Sequence, residues 1–303
     1  MRVTVPASSA NLGPGYDAFG LALGLYNEFE AEIASSWQVA VTGEGASELD
    51  RGRENQVVRA LAAAFAEAGS PDACATVVCR NAVPIGQGLG SSAAAIVGGL
   101  VLGDALMGGT LGRDRLLELA VAIEGHADNV AAALHGGFTV TTAAHVGGLT
   151  CARVDPAVGL AAVVVLGQTG LPTLEARAAL PATVSHADAA AAAGRAALVA
   201  LGIARGEKAL LAAGMHDTLH EPYRRALVPD LDAVRSVLEA CDAGPAVLSG
   251  AGPAVLALVS GADDDEALRR ARACAEAVRV PLAALGRTDV RALPVDRAGA
   301  RVA

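Results

Sequence analysis

A short loop of glycine and serine, PIGQGLGSSAA at residues 84–94, is the feature of this sequence that most limits how the chain can fold. Glycine occupies positions 86, 88 and 90, two serines follow, and an apolar stretch with helical periodicity begins directly after them. Glycine lets a ligand approach the backbone, and a helix N-terminus adds free N–H groups and a favourable dipole. The loop therefore predicts either a phosphate site or a tight strand-to-helix turn with an ordinary serine cap.

The lysine content excludes two common phosphate loops. Lys208 is the only lysine among the 23 basic residues, whereas a Walker A loop and a protein-kinase site each need a lysine near the phosphates. A second glycine cluster, LSGAGPAVLAL at residues 248–258, contains G-x-G. Its apolar run after Pro253 is typical of a strand, whereas a dinucleotide-binding loop must open a helix. This second cluster is predicted to be a turn between two strands.

Composition and charge restrict the class of protein further. With 303 residues and 53% hydrophobic residues, the chain can bury a sizeable core. The net charge of −9 argues against nucleic-acid binding, and the most apolar stretches are too short to span a bilayer. Five cysteines without a C-x-x-C pair indicate neither a disulfide framework nor a zinc ribbon. We therefore expect a cytoplasmic protein with no nucleic-acid or membrane partner.

Strand-like and helical segments follow one another without regular alternation, which predicts an α+β fold and not a doubly wound parallel sheet. The chain is expected to divide into two domains, residues 1–155 with the glycine–serine loop and residues 156–303. The predicted helices include residues 54–68, 92–107 and 113–123, an alanine-rich block over 173–223, and a last helix over 265–278. The predicted strands include residues 75–80, 138–142, 149–154 and 161–166.

Three motifs in this order resemble those of the GHMP family of small-molecule kinases: PASSANLGPGYDAFGLAL at 6–23, the loop at 84–94, and LSGAGPAVLAL. Three more segments, EGHADNVAAALHGGF at 124–138, LPTLEARAALP at 171–181 and LHEPYRRALVP at 219–229, are most similar to the branch of the family that phosphorylates homoserine. The resemblance implies a two-lobed fold with mixed and antiparallel sheets. It also implies ATP-dependent phosphorylation of the side-chain hydroxyl of L-homoserine to O-phospho-L-homoserine, a step of threonine biosynthesis.

The resemblance implies a nucleotide site and a metal site. Residues expected to bind ATP are Asn55, Pro84, Gly86, Gly88, Leu89, Gly90, Ser91 and Ser92. Mg²⁺ is expected between the Ser92 hydroxyl and the Glu124 carboxylate, with Glu118 as the competing carboxylate. A hard cation that keeps several waters needs few protein ligands, which suits such a pair. Asn55 could equally cap the helix that follows it.

The resemblance also implies a site for an amino-acid substrate. The residues expected to bind L-homoserine are Asn11, Asp17, His126, Asp128, Thr173, Arg177 and Arg224. The two arginines are expected on the carboxylate, because a guanidinium can fork onto two carboxylate oxygens. Asp128 and Asn129 are the expected catalytic residues, with Asp128 positioning the substrate first and acting as a base second. A loose transition state needs little deprotonation of the nucleophile.

Other readings stay open at this point. The chain could phosphorylate another small alcohol such as mevalonate, or serve as a non-catalytic metabolite sensor on the same fold. A dinucleotide oxidoreductase is disfavoured by the strand predicted after SGAGP. His216 and His220, four residues apart in HDTLH, could hold a metal, but two histidines on a helix without a third ligand are more typical of a surface or a cap. The sequence leaves the oligomeric state open, with a homodimer as one option.

Overall fold

The computed structural model describes residues 1–143, 148–241 and 243–303. Its strands are β1 (Arg2–Asn11), β2 (Gly15–Ala34), β3 (Gln38–Gly43), β4 (Cys74–Asn81), β5 (Phe138–Ala143), β6 (Leu149–Val154), β7 (Leu160–Val165), β8 (Ala246–Leu248), β9 (Val255–Ser260), β10 (Val290–Pro294) and β11 (Arg301–Val302). Its helices are α1 (Gln56–Glu67), α2 (Ser91–Leu106), α3 (Gly112–Glu124), α4 (Asp128–His135), α5 (Thr173–Ala178), α6 (His186–Arg205), α7 (Lys208–Gly214), α8 (Glu221–Arg224), α9 (Leu231–Ala240) and α10 (Asp264–Ala284).

The strands form two sheets, one mixed and one antiparallel. The first has the order β11-β1-β2-β4-β3, with β5 also paired to β2 and β6 paired to β5. Its pairs are antiparallel except β3 and β4, which run parallel. The second sheet has the order β10-β7-β9-β8 and is antiparallel throughout. This arrangement confirms the α+β prediction, and the turn between β8 and β9 confirms that SGAGP joins two strands.

The helices of the first half cover one face of the first sheet. Small residues let α2 lie very close to α1: a Cβ on Gly99 would stand 2.3 Å from the Val57 carbonyl oxygen. Buried side chains of α1, including Phe65, complete this core. Trp37, the only tryptophan, stacks on the Phe65 ring with centroids 6.0 Å apart. The long apolar helix that the sequence predicts after the loop is thus a packed core helix.

A separate core lies between the second sheet and helices α9 and α10. A third cluster joins the two halves, because it contains residues from β1, β2 and β5 together with residues from β7, β9 and α6. The last strand, β11, returns to the first sheet, where Val302 stands opposite Val3. The expected domain boundary near residue 155 falls between β6 and β7, and the division into domains remains a prediction.

The alanine-rich block over 173–223 is not one continuous helical segment. It consists of four helices, α5 to α8, because Ser185 caps a new helix start and Gly206 ends α6 in the left-handed conformation. By length and composition alone, α6 could cross a bilayer. A single helix of this kind is weak evidence for a membrane, and its Val199 and Ile203 are fully buried in the third cluster.

Candidate active site

A cavity of about 360 Å³ lies between the two halves of the chain. Its walls come from the end of β1 and the start of β2, the glycine–serine loop, the N-terminal ends of α1, α4 and α5, and the β8–β9 turn. The cavity brings together every residue that the sequence assigns to a site: Asn11, Asp17, Asn55, Pro84, Gly86, Gly88, Leu89, Gly90, Ser91, Ser92, Glu124, His126, Asp128, Asn129, Thr173, Arg177 and Arg224. Their individual roles remain predictions.

The glycine–serine loop ends at Gly90, and this residue, not a serine, is the N-cap of α2. Gly90 adopts a left-handed conformation with φ of 66°, and no side chain caps the helix. Ser91 and Ser92 are therefore the first two helical residues, and both line the cavity. The first backbone N–H groups of α2 stay available to an anion in the cavity, which is the arrangement that phosphate binding requires.

The three motifs that the sequence singles out meet around this loop. The backbone N–H of Ser8 donates to the carbonyl of Leu89 at 3.1 Å, and the Ser249 hydroxyl donates to the carbonyl of Gly88 at 2.6 Å. The N–H of Gly250 donates to the carbonyl of Ala10 at 3.0 Å. Carbonyl groups of the loop thus accept hydrogen bonds from both halves of the chain.

A chain of polar contacts runs from the loop to α4. The Ser92 hydroxyl donates to Glu124 Oε1 at 2.6 Å, and the same oxygen lies 3.8 Å from His126 Nε2. His126 Nδ1 lies 2.6 Å from Asp128 Oδ1. Burial alone would lower the pKa of His126, but the hydrogen bond and charge of Asp128, with the charge of Glu124, raise it. Glu118 does not line the cavity and is paired with Arg115 at 2.7 Å.

Two asparagines of the cavity already have structural contacts. Asn55 caps α1, because its side chain accepts a hydrogen bond from the N–H of Val57 at 3.0 Å and donates to the carbonyl of Asp50 at 2.7 Å. Asn129 Oδ1 accepts a hydrogen bond from the Ser8 hydroxyl at 2.9 Å. The adenine contact predicted for Asn55 remains a prediction, now for a residue that also shapes the cavity wall.

The two arginines of the cavity differ in their partners. Arg177 forks onto Asp17, with contacts of 2.7 Å and 2.9 Å to the two carboxylate oxygens, and also donates to the Tyr16 hydroxyl at 2.9 Å. Both side chains of this pair are about one-third exposed, at 33% for Arg177 and 36% for Asp17. The pair is therefore accessible from the cavity.

Arg224 is 2% exposed, and its hydrogen-bond acceptors within the described residues are neutral. Its guanidinium donates to the carbonyls of Ala176 and Gly250 at 3.2 Å and 3.1 Å and to His220 Nδ1 at 3.0 Å. His220 Nε2 in turn donates to the carbonyl of Gly13 at 2.9 Å. These contacts require neutral His220, and burial lowers its pKa in keeping with that state.

Tyr16 is a cavity residue that the sequence reasoning missed. Its ring lies 5.7 Å from the guanidinium carbon of Arg177 and 5.6 Å from that of Arg224, within cation–π distance of both. The ring of His220 lies 5.4 Å away. An aromatic residue within the glycine-rich stretch GPGYD was the available signal. Both ring nitrogens of His220 are hydrogen-bonded, and no cluster of three metal-ligating side chains occurs in residues 1–143, 148–241 and 243–303.

Comparisons with known proteins agree with this architecture. The family models "GHMP kinases N terminal domain" and "GHMP kinases C terminal" match residues 55–137 and 196–277. The chain is 44% identical to a homoserine kinase of Streptomyces avermitilis over 94% of both chains. It is 41% identical to that of Moorella thermoacetica over 86% of this chain and 87% of the relative.

A solved structure extends the agreement to the whole fold. The homoserine kinase of Cytophaga hutchinsonii superimposes with a TM-score of 0.88 at 26% identity, covering 100% of this chain and 97% of the other. Sequence, fold and the position of the glycine–serine loop therefore lead to one conclusion. The chain belongs to the GHMP kinase family, in the group of the homoserine kinases.

Proposed function

We propose that this protein transfers the γ-phosphoryl group of ATP to the side-chain hydroxyl of L-homoserine and releases O-phospho-L-homoserine, a step on the route to threonine. The homoserine kinases to which the chain is similar support this activity. The contact set of Arg224 is the single structural observation that carries the proposed substrate.

Arg224 is a buried cation without a carboxylate partner among the described residues. Burying an unpaired charge is costly, so a buried guanidinium that lines a cavity favours an anionic ligand group there. Asp17 and Asp128 lie in the same cavity and supply acceptors for an ammonium group. One cation for a carboxylate and two carboxylates for an amine match an α-amino acid. A neutral sugar or alcohol would leave Arg224 unpaired.

The phosphate end of the cavity needs no lysine. The only lysine, Lys208, lies on α7 and does not line the cavity. Loop amides, the dipole of α2 and a cation are the remaining means of neutralising a triphosphate. We assign the loop of residues 84–92 to the β- and γ-phosphates of ATP on this basis.

Ser92 and Glu124 fit Mg²⁺ by their chemistry. Both offer oxygen ligands, their oxygens are 2.6 Å apart, and both side chains line the cavity beside the loop. Magnesium takes few protein ligands and completes its shell with water and phosphate oxygens. The bound ion would neutralise charge that develops on the transferred phosphoryl group. We therefore propose Ser92 and Glu124, and not Glu118, as the magnesium ligands.

The main role proposed for Asp128 is to position the substrate, and acting as a base is secondary. Its carboxylate accepts from His126 Nδ1 and from the backbone N–H of Asn129 at 2.7 Å, so it is fixed at the start of α4. We expect Asp128→Asn to raise the KM for L-homoserine and lower kcat together, because an ammonium partner is lost. Steady-state kinetics decide: a fall in kcat with unchanged substrate affinity would identify Asp128 as a base instead.

The substrate assignment is tested by comparing Arg224→Ala with Arg225→Ala. Arg225 is the neighbouring residue, is paired with Asp232 at 2.9 Å and does not line the cavity, so it is a matched control. Loss of a charge-assisted partner should raise the KM for L-homoserine about 30- to 1,000-fold in Arg224→Ala and leave the KM for ATP unchanged. Arg224→Lys should rescue only part of the loss, because an ammonium cannot fork onto a carboxylate.

The assay should follow ATP consumption with L-homoserine, L-serine, mevalonate and shikimate in parallel. Turnover of L-homoserine alone is expected. A wild-type KM for L-homoserine in Arg224→Ala would contradict the carboxylate contact. Turnover of mevalonate instead would contradict the amino-acid substrate, and no turnover of any alcohol would indicate a metabolite sensor.

A further inference from the structure

The ion pair between Asp17 and Arg177 joins two groups that an amino-acid substrate would need separately. Asp17 sits in β2, and its backbone N–H is held by Asn11 Oδ1 at 3.0 Å. Arg177 sits in α5, 160 residues later in the chain, and reaches across the cavity to both oxygens of Asp17. Without a ligand, Asp17 and Arg177 neutralise each other's charge.

The exposure of the pair makes it exchangeable. A third of each side chain is open to solvent, and ion pairs that water reaches contribute little to stability, so opening this one costs little. Arg224 is different, because it is buried and held by three neutral acceptors. The cavity thus contains one fixed cation without a carboxylate and one cation whose carboxylate can be replaced.

We infer that Asp17 determines substrate specificity by competing for Arg177, so that only a zwitterion can open the pair without leaving a charge unpaired. A carboxylate that binds Arg177 as well as Arg224 displaces Asp17, and the displaced Asp17 then needs the ligand's ammonium. A ligand with both groups exchanges one ion pair for two. A hydroxy acid without an amine leaves Asp17 uncompensated, and an amino alcohol without a carboxylate leaves Arg177 uncompensated.

This inference rests on the proposed function for its substrate. It predicts that one substitution strengthens the binding of one ligand and weakens the binding of another. In Asp17→Asn, the competing charge is gone and Arg177 is free. The variant should therefore bind 4-hydroxybutanoate, which has the carboxylate and the hydroxyl but no amine, about 10-fold more tightly than the wild type does. It should bind L-homoserine about 30-fold more weakly, because the ammonium loses its partner.

The reciprocal variant tests the other half of the exchange. Arg177→Ala frees Asp17 and should tighten binding of L-homoserinol, which has the amine and the hydroxyl but no carboxylate. The same variant should weaken binding of L-homoserine. If Asp17 and Arg177 were only independent ligands of the substrate, removing either would never improve the binding of any ligand.

Titration calorimetry of the three ligands into each protein measures these affinities without relying on turnover. Asp289→Asn is the matched control, because it removes another two-pronged Asp–Arg pair, with Arg291, that does not line the cavity. The control should leave all three affinities unchanged. Asp17→Ala should change them in the same direction as Asp17→Asn.

Equal or weaker binding of 4-hydroxybutanoate by Asp17→Asn relative to the wild type, including undetectable binding by both, would overturn the inference. Tighter binding supports it. This result is separate from the proposed function, because the wild type's failure to phosphorylate L-homoserine would refute that function whichever way 4-hydroxybutanoate binds to the variant.

Discussion

The Ser92 hydroxyl lies 2.6 Å from Glu124 Oε1 beside the glycine–serine loop, and we expect both side chains to be needed for catalysis. We expect Ser92→Ala and Glu124→Gln each to lower kcat on the order of 10²-fold, because each removes a contact that stabilises transition-state charge. Both variants should also need more Mg²⁺ to bind ATP, which a magnesium titration of nucleotide binding measures.

Glu118→Gln is the control for this pair of variants. Glu118 lies on the same helix, α3, but its side chain is 54% exposed and paired with Arg115. It should retain wild-type kcat and the wild-type dependence on magnesium. A dead Glu118→Gln beside an active Glu124→Gln would show that the metal ligand has been assigned to the wrong carboxylate.

His220 should make the stability of the fold depend on pH. Burial lowers its pKa below the ordinary value of 6.5, so below that pH the unfolded chain binds a proton that the folded chain does not. Stability is therefore complete above pH 6.5 and falls as the pH drops below it. Between pH 7.5 and 5.5 protonation of this histidine in the unfolded chain should lower the free energy of unfolding.

His220→Gln isolates that contribution, because glutamine keeps one donor and one acceptor but does not titrate. Urea unfolding at the two pH values gives the measurement, and the loss of unfolding free energy between them should be smaller in the variant. His126 and His135 are present in both proteins, so their effects cancel in this comparison. An equal loss in both proteins would show that His220 titrates normally in the fold.

At the residue scale, the sequence predicted which side chains reach the cavity better than what they contact. The sequence motifs identified Arg177 and Arg224 as two equivalent ligands of the substrate carboxylate. Only the three-dimensional contacts distinguish them, since Asp17 lies 160 positions before Arg177 in the chain. No local pattern encodes such a partner. Tyr16 was missed for the same reason, because its importance comes from two arginines distant in sequence.

At the scale of elements, the glycine–serine loop is shaped by its contact with the β8–β9 turn. Gly88 has φ of 74°, and a Cβ there would stand 2.0 Å from the carbonyl oxygen of Ser249. Gly88→Ala should therefore cost the strain of a left-handed alanine, about 1 to 2 kcal/mol, plus about 1 to 3 kcal/mol for displaced backbone. The displaced loop should also lower kcat/KM for ATP.

Gly69→Ala is the matched control for the loop variant. Gly69 has φ of 81°, but a Cβ there would meet nothing within 4 Å. This variant should lose only about 1 to 2 kcal/mol of stability to backbone strain and should keep its activity. Thermal unfolding and ATP kinetics of the two variants give the comparison. Equal stability and equal activity would mean that the loop yields to the added methyl group without cost.

Periodicity identified several elements within one or two residues of their ends, but the last helix, predicted over 265–278, continues to Ala284. The helix predicted over 92–107 is α2, and the strand predicted over 75–80 is β4. Periodicity failed where apolar residues are mostly alanine, because alanine favours helix without marking a face. For this reason the block over 173–223 was predicted as one unit, and α4, with its run of alanines, was not predicted as a helix.

At the scale of the whole molecule, the third hydrophobic cluster is what joins the two halves. It places Leu21 and Phe138 of the first sheet in one cluster with Val164 and Leu256 of the second. The sequence pattern predicted strands in both halves of the chain, but it could not predict that the two sheets pack against each other. Burial periodicity shows that a face is covered and not which element covers it.

The stack of Trp37 on Phe65 gives this chain a fluorophore in a single place. Residues 156–303 contain no tryptophan, and Tyr223 is their only Phe, Tyr or Trp residue. Tryptophan emission therefore reports on the first core and not on the second sheet. Circular dichroism records helices of both halves. Because the third cluster couples the halves, we expect the two urea-unfolding curves to coincide. If the second half unfolded on its own, the circular dichroism signal would change at urea concentrations where the fluorescence of Trp37 stayed constant.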